Sequence, residues 1–148
     1  MITIATAQPS DIDVLTGLLE SLFAQEVEFT VATAKHKVGL SLILNDSALG
    51  QILVARNDDI VVGMANLLFT VSTALGKRVA ILDDLIVAPT FRGKGVGKLL
   101  MDAAIGLCTE RGLARISLQT DSDNFTAQHL YESRRFMRSS MISYKKIL

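Results

Sequence analysis

Tryptophan is absent from this sequence, cysteine occurs once and proline twice. A single thiol excludes an internal disulfide. It cannot build a zinc site alone, so no metal is expected. Neither sign of charge is in excess, because fifteen Lys and Arg balance fifteen Asp and Glu. Without a net positive field the many phosphate contacts that hold nucleic acid have no source, and no nucleic-acid partner is expected. No apolar run reaches the ~18 residues of a membrane span. The stretch Met1 to Ser10 carries no Lys or Arg that would open a secretory signal. The expectation is a cytoplasmic chain with no membrane partner. Internal repeats, low-complexity tracts and Pro/Gly/Ser-rich linkers are also missing.

What is present is ordinary globular material, with 49% hydrophobic and 20% charged residues in 148. A chain of that length buries about 68–70% of its unfolded surface, enough for one core. The expectation is one domain over 1–148. Ile2–Thr6 alternates as a short strand, and Pro9-Ser10-Asp11 supplies a turn and an N-cap. Ile12, Leu15, Leu18, Leu19 and Leu22 then recur at helical spacing to about Ala24. A weaker helix spans about Ala34–Leu44. Gln51–Arg56, Ile60–Val71 and Val79–Val87 read as a meander of three antiparallel strands with short turns. Gly95–Arg111 reads as an amphipathic helix that Gly112 stops. Ala114–Gln119 follows as a strand parallel to its predecessor. Asn124–Arg134 is a helix, and Phe136–Lys145 a final strand or two. The fold class expected is α/β (α+β), with a mixed, mostly antiparallel sheet and helices on both faces.

The segment Thr90-Phe91-Arg92-Gly93-Lys94-Gly95-Val96-Gly97-Lys98 joins a strand to a helix. A helix start presents free N–H groups and a partial positive charge, and glycines let a phosphate approach them. Arg92, Lys94 and Lys98 add charge, completing a recipe for a pyrophosphate cradle. A Walker loop would need glycine where Arg92 stands and Ser or Thr where Leu99 stands. A dinucleotide fingerprint needs a different glycine spacing, early in a doubly wound sheet. The pattern that fits is R-x-x-G-x-G, as Arg92, Gly95 and Gly97.

The stretch Leu82 to Gly97 resembles the acetyl-CoA-binding signature of the GNAT superfamily of N-acetyltransferases. The later stretch Asn124-Phe125-Thr126-Ala127-Gln128-His129-Leu130-Tyr131-Glu132-Ser133-Arg134-Arg135-Phe136 is similar to that superfamily's N-x-x-A-x-x-L-Y-E-x-x-G-F motif. The resemblance covers about Ile52 to Phe136. One position departs: Arg135 stands where the family has a glycine suited to a left-handed helix end.

The resemblance implies an acetyl-CoA-dependent N-acetyltransferase in which an amine attacks the thioester directly in a ternary complex. It implies that backbone at Leu85, Ile86 and Val87 pairs with the pantetheine arm. The loop Arg92, Gly93, Lys94, Gly95, Val96, Gly97 and Lys98 would hold the pyrophosphate, with Asn124 contacting the arm or supporting the site. An alkyl amine with a pKa near ~10 must lose a proton before it attacks. Asp83 and Asp84 precede the cofactor strand, and alternation lets only one of them face the acceptor. Analogy with diamine acetyltransferases favours Asp83 as the base. A capping or ion-pair role for either Asp is the alternative. Tyr131 is the candidate acid for the departing thiolate, or else a buried helix aromatic.

Other polar residues have plainer readings. Cys108 reads as a buried structural thiol, His129 as surface, and His36 as part of a solvated face with Lys35 and Lys37. Glu26 and Glu28 either attract a cationic acceptor or are solvated. The acceptor expected is a small-molecule primary amine, with a protein N-terminus or lysine as the rival. A catalytically silent acetyl-CoA sensor is the reading from another class, and a nucleotide switch with a degenerate Walker loop is the weakest. A homodimer is one open option for the oligomeric state.

Overall fold

The computed structural model describes residues 1–23 and 32–148. Alternating side chains build the sheet. Five strands, β1 (Ile2–Thr6), β2 (Gly50–Asn57), β3 (Ile60–Ser72), β4 (Lys77–Val87) and β5 (Ile116–Leu118), lie in that order across it. The first three pairings are antiparallel, as the short turns demand. β4 and β5 are parallel, joined through α3 (Val96–Glu110), because a parallel return needs a long crossover. The sheet is mixed and mostly antiparallel, as the patterning predicts.

Helices cover both faces. Leu53, Ala55, Ala65, Leu67 and Leu82 turn toward α3, which lays Val96, Leu100, Met101, Ala104 and Cys108 on them. Ile52, Val54, Met64 and Ile86 turn the other way. There they meet Leu15, Leu18 and Leu19 of α1 (Ile12–Phe23) and Leu40 of α2 (Ala32–Leu44). Double coverage explains why Val61 to Leu67 of β3 are all buried rather than alternately wet. Asp11 fixes the entry to α1: its carboxylate accepts from the Gln8 N–H (2.8 Å) and pairs with Arg56 on β2 (2.7 Å).

Both later helices end in left-handed turns. Gly112 (φ 70°) closes α3, with the Leu113 N–H donating to the Cys108 carbonyl (3.0 Å). Arg135 (φ 65°) closes α4 (Phe125–Ser133), with the Phe136 N–H donating to the Tyr131 carbonyl (3.0 Å). The glycine-type ending therefore forms although the residue is arginine, at a cost of about 1–2 kcal/mol. Arg134 grips Asp102 of α3 through Nε (2.7 Å) and Nη2 (3.0 Å), bracing α4 against α3.

Two expectations need correction. The strand expected over Ala114–Gln119 is only Ile116–Leu118. The final strand or two expected over Phe136–Lys145 does not form, and residues 137–148 are all exposed. Its apolar pattern is broken by Arg138-Ser139-Ser140, and side chains rather than a backbone ladder tie it down. Arg138 donates to Gln128 (2.8 Å), and Gln119 donates to Ser143 (3.0 Å). Extended chain without a ladder partner is not a strand.

Candidate functional site

The glycine loop begins where Pro89 stops β4. A single 3-10 turn, Pro89–Phe91, leads to Arg92, whose Nε donates back to the Val87 carbonyl (3.1 Å). Gly93 (φ 75°) and Gly95 (φ 82°) take left-handed conformations, and Gly95 is the N-cap of α3. A Cβ at either would meet nothing within 4 Å, so backbone conformation and not crowding requires glycine there. No side chain caps this helix start. Among the described residues no acceptor meets the N–H groups of Val96, Gly97 and Lys98. Arg92, Lys94 and Lys98 are exposed and none is in an ion pair with a described carboxylate. Lys94 Nζ lies 5.0 Å over the Phe91 ring, which holds it at the loop. Open donors and three uncompensated cations are what a pyrophosphate requires.

Beside the loop the sheet parts. β4 pairs with β5 only from Ala80 to Leu82, whereas β4 itself runs to Val87. Residues 84–87, including Leu85, Ile86 and Val87, therefore pair with β3 as their one strand neighbour, the Val87 carbonyl also accepting from Arg92 Nε, and no described strand pairs with their other edge. An extended ligand carrying amides could pair with that edge. α4 lies across the gap: a Cβ on Gly97 would stand 3.6 Å from Leu130 and 3.9 Å from Val87. Asn124 caps α4, its side chain accepting from the Ala127 N–H (3.2 Å). That is a supporting position, and it is the one contact the structure gives Asn124's side chain. Tyr131, next to Leu130, is half-buried with its ring 6.1 Å from that of Phe136. Burial pushes its phenol above the ordinary value.

The two acids separate at a bulge. Asn66 of β3 pairs with Asp84, and Leu67 with Leu82, so Asp83 is skipped. Asp83 is exposed. Asp84 is half-buried on the α1/α2 face, where Asn66 Nδ2 donates to its Oδ2 (3.0 Å). Burial raises the Asp84 carboxyl above the usual range and the Asp83 charge adds to this, while Asn66 and His36 oppose it. His36 belongs to this cluster: it is half-buried on α2, one turn before the buried Leu40, and its charge reaches Asp84. Asn66 Oδ1 is buried and accepts no hydrogen bond among the described residues, a condition that costs about 1–3 kcal/mol.

Sequence reasoning read His36 as solvated and did not single out Asn66. The signals were one amide inside an apolar strand, and a histidine four residues before a core leucine. Glu26 and Glu28 lie outside the described residues. His129 is exposed, and Cys108 is buried with its thiol pushed up by burial. A separate hollow of about 260 Å³, lined by Ser47, Phe69, Arg78, Arg111 and Leu113, sits at the other end of β4. Among the described residues no helix is long and apolar enough to cross a membrane, and no three His, Cys, Asp or Glu side chains gather as a metal would need.

Comparison with known proteins places this geometry. An uncharacterised N-acetyltransferase of Bacillus subtilis is 36% identical over 85 residues, covering 57% of each chain. The chain thus matches just over half the length of that relative, and less of the others. The crystal structure of a transcriptional regulator from Bacillus halodurans superposes with a TM-score of 0.85 at 26% identity, covering 100% of both chains. An aminoglycoside N-acetyltransferase in complex with CoA superposes with a TM-score of 0.80 at 19% identity, covering 99% of this chain and 95% of that one. The model of the acetyltransferase (GNAT) family matches residues 19–136. That match runs from within α1 to the turn that ends α4, takes in both motif segments, and makes the chain a member of the acetyltransferase (GNAT) family.

Proposed function

We propose that this chain is, as one domain over 1–148, an acetyl-CoA-dependent N-acetyltransferase acting on a small-molecule primary amine. The observation that carries the reading is the parting of β4 from β5 beside the uncapped start of α3. The open β4 edge at Leu85, Ile86 and Val87 suits the pantetheine amides. The N–H groups of Val96, Gly97 and Lys98, with Arg92, Lys94 and Lys98 around them, suit the pyrophosphate. Gly93 and Gly95 shape the loop, and Asn124 holds the start of α4.

In this reading Asp84 takes a proton from the acceptor ammonium. Its raised carboxyl is a better base than an ordinary aspartate, and it lies half-buried on the α1/α2 face, where this reading puts the acceptor. Asp83, exposed at the bulge, adds negative charge that helps draw a cation in. The neutral nitrogen attacks the thioester carbonyl carbon, a C–N bond forms and the C–S bond breaks. Tyr131 gives its proton to the departing sulfur and is reprotonated as the second nitrogen proton leaves to form the amide, and burial keeps that phenol protonated at neutral pH.

The test is free-thiol release from acetyl-CoA with polyamines, amino acids, aminoglycosides and short peptides. Release that depends on one amine class, and falls about 10²-fold or more in Tyr131→Phe, supports the reading. Release with peptides alone moves the acceptor to protein. The likeness to a solved transcriptional regulator supports a second reading, a cofactor sensor, which predicts acetyl-CoA binding with no release for any acceptor.

A further inference from the structure

Asn66 is the only polar side chain in the buried run from Val61 to Leu67, and it is 3% exposed. Half of its amide is used. Nδ2 donates to Asp84 (3.0 Å), while Oδ1 is buried and accepts from no group among the described residues. Flipping the amide gives no relief, because Oδ1 would then face the Asp84 carboxylate. A leucine of similar size would have matched the surrounding strand without leaving an acceptor unmet. The missing partner is a donor, and Asp84, hydrogen-bonded to Asn66, is half-exposed beside it. An alkylammonium fits both groups, since it carries only donors and a positive charge.

We propose that Asn66 Oδ1 and the Asp84 carboxylate together seat the acceptor's ammonium, one N–H on each, so that Asn66 is a specificity-determining residue for amines with at least two N–H groups. The idea rests on the acetyltransferase reading only in naming this amine as the acceptor. Proton transfer then balances. One N–H proton passes to Asp84 and a second N–H stays on Asn66 Oδ1; the freed lone pair lies where the transferred proton was, toward Asp84, and rotation about the C–N bond turns it to the thioester before attack.

The test has a readout that needs no turnover. Thermal unfolding is followed with n-butylammonium chloride and, at equal ionic strength, tetramethylammonium chloride, which has no N–H. The wild-type chain should gain about 2–4 °C with n-butylammonium and nothing with tetramethylammonium. Asn66→Leu should melt no lower than wild type without amine and gain nothing with it. Asn66→Asp, which keeps an acceptor oxygen, should retain the gain at pH 8 and decides the matter if Asn66→Leu does not fold. In turnover, Asn66→Leu should raise the amine KM at least ~10-fold and leave the KM for acetyl-CoA unchanged. Equal gains from the two salts, or an undiminished gain in Asn66→Leu, would overturn the proposal and leave an internal water as the partner of Oδ1. Failure of wild type to acetylate any amine would instead strike the transferase reading, and the melting result would still stand for or against the seat.

Discussion

At the scale of single residues, the site turns on how one bulge sorts two neighbouring aspartates. Skipping Asp83 in the β3–β4 register leaves it in solvent and turns Asp84 into the α1/α2 layer. Burial then raises the Asp84 carboxyl, more than Asn66 and His36 lower it. A base must be ionised to work, so kcat/KM should fall as pH drops through that raised value, which lies above the ~3.9 of an ordinary aspartate. A raised carboxyl contributes stability below its unfolded pKa and loses it as pH rises through the folded one. At pH 8 the ionised group therefore opposes folding. Asp84→Asn should lower kcat/KM about 10²–10⁴-fold, remove that acid limb, and melt no lower than wild type at pH 8. An acid limb that survives in Asp84→Asn but disappears in Asp83→Asn would move the base to Asp83.

At the scale of elements, the start of α3 has no side-chain cap, and in the proposed reading an anion takes the place of one. Lys94 and Lys98 add charge at the same end. Replacing both by alanine should weaken CoA binding about 3- to 30-fold at low salt. The difference should shrink by 300 mM salt, because exposed charges are screened. Titration calorimetry at two salt concentrations reads this, and an unchanged affinity would remove the loop from the pyrophosphate site. The elements that sequence located well are those with a local signal. The α3 start is written in three glycines, and β2 to β4 in alternation between short turns. β5 was overextended, and the strand expected over Phe136–Lys145 is absent, because strand formation depends on a ladder partner and no local pattern reports one. Asn66 goes unremarked, and His36 reads as solvated, for the same reason. The strand register and the α2 packing that join them to Asp84 link residues 18 to 48 positions apart, and neither carries a motif.

At the scale of the molecule, the two layers have different tasks. The α3 layer joins a large apolar cluster to the cofactor loop, while the α1/α2 layer sets a polar cluster at the edge of a smaller one. In the proposed reading the cofactor lies at the seam where β4 leaves β5, and a ligand seated there would bridge β4, α3 and α4. α4 has the least independent hold on the fold. It has no fully buried residue, and its grip comes from the Arg134–Asp102 pair and the partial burial of Leu130, Tyr131 and Phe136. A ligand that spans the seam should therefore stabilise the whole chain and α4 most of all. Binding to the folded state alone adds RT ln(1 + [L]/Kd), about 2.7 kcal/mol at a hundredfold excess over Kd. For a chain of this size that corresponds to a rise of roughly 5–10 °C in Tm. Titrating CoA during thermal unfolding should give a Tm that climbs with the logarithm of its concentration. Amide exchange should slow over residues 125–133 and 96–99 before it slows in β1 and β2. A rise in Tm without added protection in α4 would mean that CoA sits on the α3 loop alone, and the β4–β5 seam would lose its place as the pantetheine channel.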